Sequence, residues 1–131
     1  DADTAGRVRD HLLRVGVDGV HGFTTTREGL PESVPPRFTP DELAGVEAGL
    51  VLDVRSRGEY AEGHIPGSTQ LSAGRVLWNL DALPREATIV SYCGSGVRSS
   101  VASSALRRAG YDVVELDRGY ADWVSAGEPS A

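Results

Sequence analysis

Cys93 is the only cysteine among 131 residues, and its neighbours are of the kind that activates a thiol. Gly94-Ser95-Gly96-Val97-Arg98-Ser99 follow it. Before it, Thr88–Tyr92 is a β-branched and aromatic run that suits a buried parallel strand. After the loop, Ser100–Ala109 reads as a helix of small residues stopped by Gly110. The thiol therefore lies between the carboxyl end of a strand and the amino end of a helix, where open α/β sheets place ligands. Two glycines let the loop curl with its N–H groups turned inward, making a concave anion site. The helix dipole adds partial positive charge and Arg98 a full one. All three favour the thiolate, which is the nucleophile. A lone cysteine is most often a buried structural thiol. The glycines, Arg98 and the strand-to-helix position favour a reactive one here.

The whole chain limits the available chemistry. Its length suffices for one compact domain with a real core. Hydrophobic residues make up 40%, an ordinary globular share. No apolar run approaches membrane-spanning length, and no signal-peptide pattern opens the chain. The net charge is −6, and all 13 Lys-or-Arg positions are Arg. That balance argues against nucleic acid or an anionic membrane as partner. An anionic substrate would need a local field at Cys93 that overcomes the global repulsion. A single cysteine excludes an internal disulfide and a cysteine cluster for metal, so we expect neither metal nor cofactor. A free thiol points to a reducing cytoplasm. The chain has no Met, from which we expect a processed chain or a piece of a longer protein.

The elements around the cysteine can be read in order. Ala5–Val15 has the spacing of a short helix stopped by Gly16, with Asp1–Thr4 frayed before it. Val17–Phe23 reads as a strand, and the Pro-rich Thr24–Phe38 as a linker. Leu12–Val20 partly repeats Leu106–Val114, a helix end, a Gly stop and a strand start. Thr39-Pro40-Asp41-Glu42 is a capping box that opens a helix through Val46. Leu50–Val54 is a buried strand. Ser56-Arg57-Gly58-Glu59 is a second capping box, with a helix to about Ala61. Gly63–Ser68 is a rigid turn, Thr69–Leu71 a short strand, and Ser72–Leu80 has helical spacing at Val76, Leu77 and Leu80. Asp112–Leu116 is a further strand, and Tyr120–Val124 a last helix. Strand and helix alternate from Leu50 onward, which means a parallel sheet covered on both faces.

Four motifs resemble the rhodanese homology domain. They are Asp53-Val54-Arg55; Glu59-Tyr60 with Gly63-His64-Ile65-Pro66-Gly67; Tyr92-Cys93 with the loop to Arg98-Ser99; and Gly119-Tyr120 with Trp123 and Ala126-Gly127. The resemblance covers residues 38 to 129. It implies an α/β domain with a parallel five-stranded sheet and helices on both faces, carrying sulfur as a cysteine persulfide. Cys93–Val97 looks like the loop of mercaptopyruvate sulfurtransferases, whereas Arg98-Ser99 looks like single-domain rhodaneses. Gly94 stands where the thiosulfate-preferring type has a basic residue. Arg118-Gly119 replaces the family's double glycine, which we assign to a local turn rather than to chemistry.

We divide the chain into an amino-terminal extension with its linker, 1–37, and a rhodanese-like domain, 38–131. Residues 1–30 resemble the tail of a preceding module in fusions with metallo-β-lactamase-fold enzymes. We expect them to pack outside the domain and to leave the Cys93 pocket alone.

The implied function is a sulfurtransferase. Cys93 takes sulfur from thiosulfate or mercaptopyruvate and hands it to a thiol or cyanide. The loop Gly94, Ser95, Gly96, Val97, Arg98 and Ser99 would bind the substrate and hold the persulfide. Arg98 either binds the donor or pairs with a carboxylate, Asp53 or Glu59, to fix the loop, and we favour the pairing. Asp53, Arg55, Glu59 and His64 read as structural support. His11 and His21 look incidental, and Trp78 and Trp123 look like packing residues. The rival readings are a non-catalytic binding module and a cysteine-dependent phosphatase. The Cys-x4-Arg loop is one residue shorter than a phosphatase's.

Overall fold

Val, Ile and Leu crowd three short runs, and such side chains fit a pleated surface buried on both sides. In the computed structural model, which describes residues 1–14, 19, 21–26, 28–29, 34–45 and 48–131, these runs are the inner strands of a five-stranded sheet. The strands are β1 (Arg37–Phe38), β2 (Leu50–Asp53), β3 (Thr69–Gln70), β4 (Ile89–Tyr92) and β5 (Val113–Leu116). All pairings are parallel, in the order β1-β5-β4-β2-β3. The helices are α1 (Ala2–Arg14), α2 (Pro40–Ala44), α3 (Arg57–Glu62), α4 (Val97–Arg108) and α5 (Tyr120–Ser125). Two 3-10 segments, Ala73–Trp78 and Leu80–Ala82, lie between β3 and β4.

The period of two along each strand divides the core into two layers. Leu52, Ile89, Cys93 and Val113 pack with Val76, Ala102 and Leu106, beneath α4 and the first 3-10 segment. Val90, Tyr92, Val114 and Leu116 pack with Leu43 of α2 and Trp123 of α5 on the other side. The sheet is thus α/β, parallel and covered on both faces.

Register positions the site. Asp53 lies opposite Tyr92, and Ser91 opposite Glu115, so β2, β4 and β5 end along one edge. From β2 the chain steps outward to β3, and from β4 it steps the other way to β5. The gap between β2 and β4 is the switch point at which open α/β sheets bind ligands.

The chain divides into two compact units, Asp1–Ser33 and Val34–Ala131. In the first unit the helix begins earlier than its apolar spacing implies. The Asp1 carboxylate accepts the Thr4 N–H (2.8 Å) and caps it, so Asp1–Thr4 is a helix start rather than a frayed end. Gly19 and His21–Phe23 are not in a strand, contrary to the reading of Val17–Phe23, whose remaining positions lie outside the described residues.

In the second unit both capping boxes form, at Thr39/Glu42 and Ser56/Glu59. The first helix stops at Ala44, capped by Gly45; Val46 lies outside the described residues. The second reaches Glu62. The Pro-rich linker ends in a strand, β1, that has only two residues and pairs with β5. It straddles the division drawn between 37 and 38. Ser72–Leu80 is not an α-helix but a 3-10 segment that ends at Trp78. No helix among the described residues is long and apolar enough to cross a membrane.

Leu106 is fully buried between α4 and the sheet. Leu106→Ala should therefore destabilise the protein by about 2–5 kcal/mol, read as a lower urea midpoint with an unchanged slope.

Candidate functional site

Cys93 follows the last residue of the central strand, and the residue is only 1% exposed. The next residues turn the chain into α4. Gly96 makes that turn at φ +94, a backbone region that L side chains rarely adopt. At Gly94 the fit is looser: a Cβ there would lie 3.4 Å from the Arg98 guanidinium. Helix α4 starts at Val97, three residues earlier than its small-residue run implies. Arg98 and Ser99 thus belong to its first turn.

The electrostatics at the sulfur are set by the residues that follow it. Burial pushes the Cys93 thiol up. The Ser99 hydroxyl and the N–H groups of Ser99, Ser95 and Gly96 hydrogen-bond the sulfur and outweigh burial, so its pKa falls below the ordinary thiol value. The Ser99 hydroxyl lies 3.5 Å from Sγ and 3.0 Å from the Gly96 carbonyl, and its one proton serves one of them at a time. The N–H groups of Val97 and Arg98 stand in the first turn, where a helix offers them no internal partner.

The loop is fixed from outside by α5. Tyr120 N–H donates to the Cys93 carbonyl (2.7 Å), and Ala121 N–H to the Gly94 carbonyl (3.1 Å). Gly119 permits this approach, because a Cβ there would collide with the Cys93 carbonyl oxygen. Gly119 is therefore part of the mount of the cysteine loop, not only of a local turn. It lies 26 positions after Cys93, and no spacing rule connects the two; only the parallel register of β4 and β5 does.

Arg98 makes a bidentate pair with Glu59, at 2.7 and 2.8 Å. Glu59 also accepts the Ser56 N–H (3.0 Å) and hydroxyl (2.8 Å), so one carboxylate caps α3 and clamps α4. Arg98, then the Ser56 groups, hold the Glu59 carboxyl far below the usual carboxylate range. Glu59 raises the Arg98 guanidinium, and Cys93 adds to that. Both side chains remain partly exposed.

Asp53 and Arg55 form a separate, buried pair at the end of β2, closest at 2.7 Å. Arg55 also donates to the Gly63 carbonyl (2.7 Å) and lies over the Tyr120 ring, 4.1 Å from its centroid. The Tyr92 hydroxyl accepts the Ile65 N–H (3.2 Å) and meets the Ser68 hydroxyl (3.0 Å), pinning the Gly63–Ser68 turn. His64 stacks on Tyr60 at 3.7 Å, and its Nδ1 lies 2.9 Å from the Tyr60 carbonyl. The structure therefore gathers Gly94–Ser99 around Cys93 and reaches Glu59 through Arg98. Asp53 and Arg55 brace the adjoining strand end, and the contacts of His64 are all outside the cysteine loop. Trp78 is 87% exposed and so is not a packing residue, whereas Trp123 is buried.

A cavity of about 480 Å³ on the α2/α5 side is lined by Leu43, Val51, Ile65 and Trp123 and contains none of these polar groups. Among the described residues, no three His, Cys, Asp or Glu side chains cluster as a metal site would require.

The arrangement has counterparts among known proteins. Residues 39–126 match the family model of the rhodanese-like domain. A sulfurtransferase from Allochromatium vinosum is 35% identical over 88 residues, which cover 66% of this chain and 82% of that protein. A thiosulfate sulfurtransferase, GlpE, from Pseudoalteromonas translucida is 33% identical over 86 residues, 65% of this chain and 82% of the relative. The crystal structure of a rhodanese-related protein from Thermoplasma volcanium superposes with a TM-score of 0.70 at 26% identity, covering 73% of this chain and 97% of the other. Other relatives are longer, and the chain spans 46% of one and 29% of another.

The clamp predicts how Arg98→Lys behaves. An ammonium cannot form the planar fork that holds both Glu59 oxygens, so the variant should lose about 0.5–1 kcal/mol, a melting temperature lower by a few degrees. The Glu59 pKa is depressed on folding, so this contribution is full above the ordinary carboxylate range and fades as pH falls below it. The stability gap to wild type should therefore be widest at neutral pH and shrink in acid. An unchanged melting temperature with only a raised KM would instead make Arg98 a substrate ligand.

Proposed function

The chain belongs to the rhodanese-like domain family, and from that premise we propose that it is a sulfurtransferase working through a Cys93 persulfide. One observation carries the reading: a buried thiol at the amino end of α4 with the Ser99 hydroxyl 3.5 Å from its sulfur, where hydrogen bonding from Ser99, Ser95 and Gly96 lowers its pKa. Such a cradle suits an anionic sulfur and gives a structural thiol no advantage.

The cycle has two halves. The Cys93 thiolate attacks the outer sulfur of thiosulfate; the S–S bond breaks and sulfite leaves with the electron pair. With mercaptopyruvate the C–S bond breaks instead, and the pyruvate carbanion takes up a proton. The product in either case is Cys93–S–S⁻. An acceptor thiolate or cyanide then attacks the outer sulfur, and the Cys93 thiolate leaves. The charge carried by Cys93 and by its persulfide stays at the sulfur that the loop surrounds, so fixed amide dipoles serve both halves, and the thiosulfate branch requires no general base. In this reading Gly94–Ser99 bind the donor and the persulfide through their backbone. Arg98 keeps the loop in shape through Glu59, while Asp53, Arg55 and His64 support the neighbouring segments. The cycle needs a free thiol, which suits a reducing compartment such as the cytoplasm. The name of the Pseudoalteromonas relative supports thiosulfate as donor.

Mass spectrometry tests this directly. Incubation with thiosulfate or mercaptopyruvate should add about 32 Da, one sulfur atom, that cyanide removes and that Cys93→Ser never acquires. Donor-treated wild type without the adduct would overturn the reading.

A further inference from the structure

The turn after β5 holds a residue in an unfavourable conformation. Arg118 has φ +50, the only non-glycine among the described residues with positive φ. An L side chain is less stable there than glycine, because its Cβ crowds the following carbonyl oxygen. The turn is closed by Gly119 N–H donating to the Leu116 carbonyl (3.2 Å), while the exposed Arg118 side chain makes no hydrogen bond or ion pair among the described residues. Strain of this kind persists at ligand sites, where an observed outlier points to function.

Arg118 lines a cleft of about 250 Å³. Ser95, Gly96 and Val97, from the segment that follows Cys93, line the same cleft. The other charges of the cleft are committed: Asp117 to Arg37 at 3.1 Å and Glu115 to Arg107 at 3.1 Å. Among the described residues, Arg118 is thus the one uncommitted charge that lines the cleft with the cysteine loop. The next residue, Gly119, packs on the Cys93 carbonyl, which ties the position of this turn to the nucleophile.

Resting on the persulfide reading, we propose that Arg118 is a specificity-determining residue. It holds the carboxylate of a small organic thiol that accepts sulfur from Cys93. The cleft is too large for cyanide and lies outside the amide cradle, so it suits the body of an organic acceptor. A planar carboxylate matches the guanidinium fork. A doubly charged phosphate would meet Asp117 and Glu115 in the same cleft with one cation to balance it. The acceptor thiolate attacks the outer sulfur, the Cys93 S–S bond breaks, and Cys93 leaves as thiolate. The carboxylate takes no part in bond making.

The test separates this from the reading beneath it. Wild type, Arg118→Gly and Arg118→Asn are loaded with thiosulfate, and the adduct is verified by mass. Each is then mixed with 3-mercaptopropionate or with neutral 2-mercaptoethanol. Gly and Asn both tolerate positive φ, so the variants should fold. The readout is the ratio of second-order rate constants, charged thiol over neutral thiol. We expect it to fall about tenfold in both variants, and to fall in wild type at high salt. An unchanged ratio overturns the proposal. So does an unchanged ratio accompanied by slower loading from mercaptopyruvate than from thiosulfate, which would give Arg118 to the donor. Failure of wild type to load at all would sink the persulfide reading, and the inference with it.

Discussion

Two hydrogen bonds from the start of α5 decide what the cysteine loop can do. A peptide unit is planar, and its C=O and N–H point in opposite directions. The Gly94 carbonyl is held by Ala121 N–H, so the N–H of the same unit, that of Ser95, faces the other way, toward the sulfur it hydrogen-bonds. The Cys93 carbonyl, held by Tyr120 N–H, fixes the preceding unit in the same manner. Without these anchors the loop amides would be free to turn to solvent, and burial alone would raise the thiol pKa. Gly119 is the condition for the contact, since any side chain there collides with the Cys93 carbonyl.

The ion pairs act on geometry more than on stability. Asp53–Arg55 is buried, and the cost of desolvating both charges largely offsets their attraction. What the pair adds is direction. Arg55 ties the end of β2 to the Gly63 carbonyl and to the Tyr120 ring, on the residue that anchors Cys93. Glu59–Arg98 is partly exposed and worth little as an isolated pair. It joins the capping box of α3 to the first turn of α4, so the helices after β2 and β4 keep a fixed separation across the mouth of the loop.

Features set by local chemistry are legible in the sequence. The three inner strands are apolar and β-branched, the capping boxes are four-residue patterns, and the cysteine loop is flanked by its own punctuation. Features set by distant partners are not. β1 is two residues long and exists through its pairing with β5. Ser72–Leu80 has helical spacing, but the 3-10 segment buries Val76, packs Ala73 against the core and leaves Leu77 and Trp78 exposed. Charge alone suggests that Arg98 pairs with a carboxylate, yet choosing Glu59 over Asp53 requires the fold, which gives Asp53 to Arg55. Gly119 reads as part of a turn because nothing in the sequence says what lies above it.

The pH dependence of Cys93 alkylation, compared between wild type and Gly119→Ala, decides whether the anchored loop sets the thiol pKa. The single thiol makes the rate a clean report of thiolate fraction. Wild-type Cys93 should titrate below an ordinary thiol, and Gly119→Ala, still folded by circular dichroism, should titrate higher as the loop amides lose their aim. A folded Gly119→Ala with the wild-type titration, or a wild-type thiol that titrates at or above the ordinary value, would contradict this control of the nucleophile by α5.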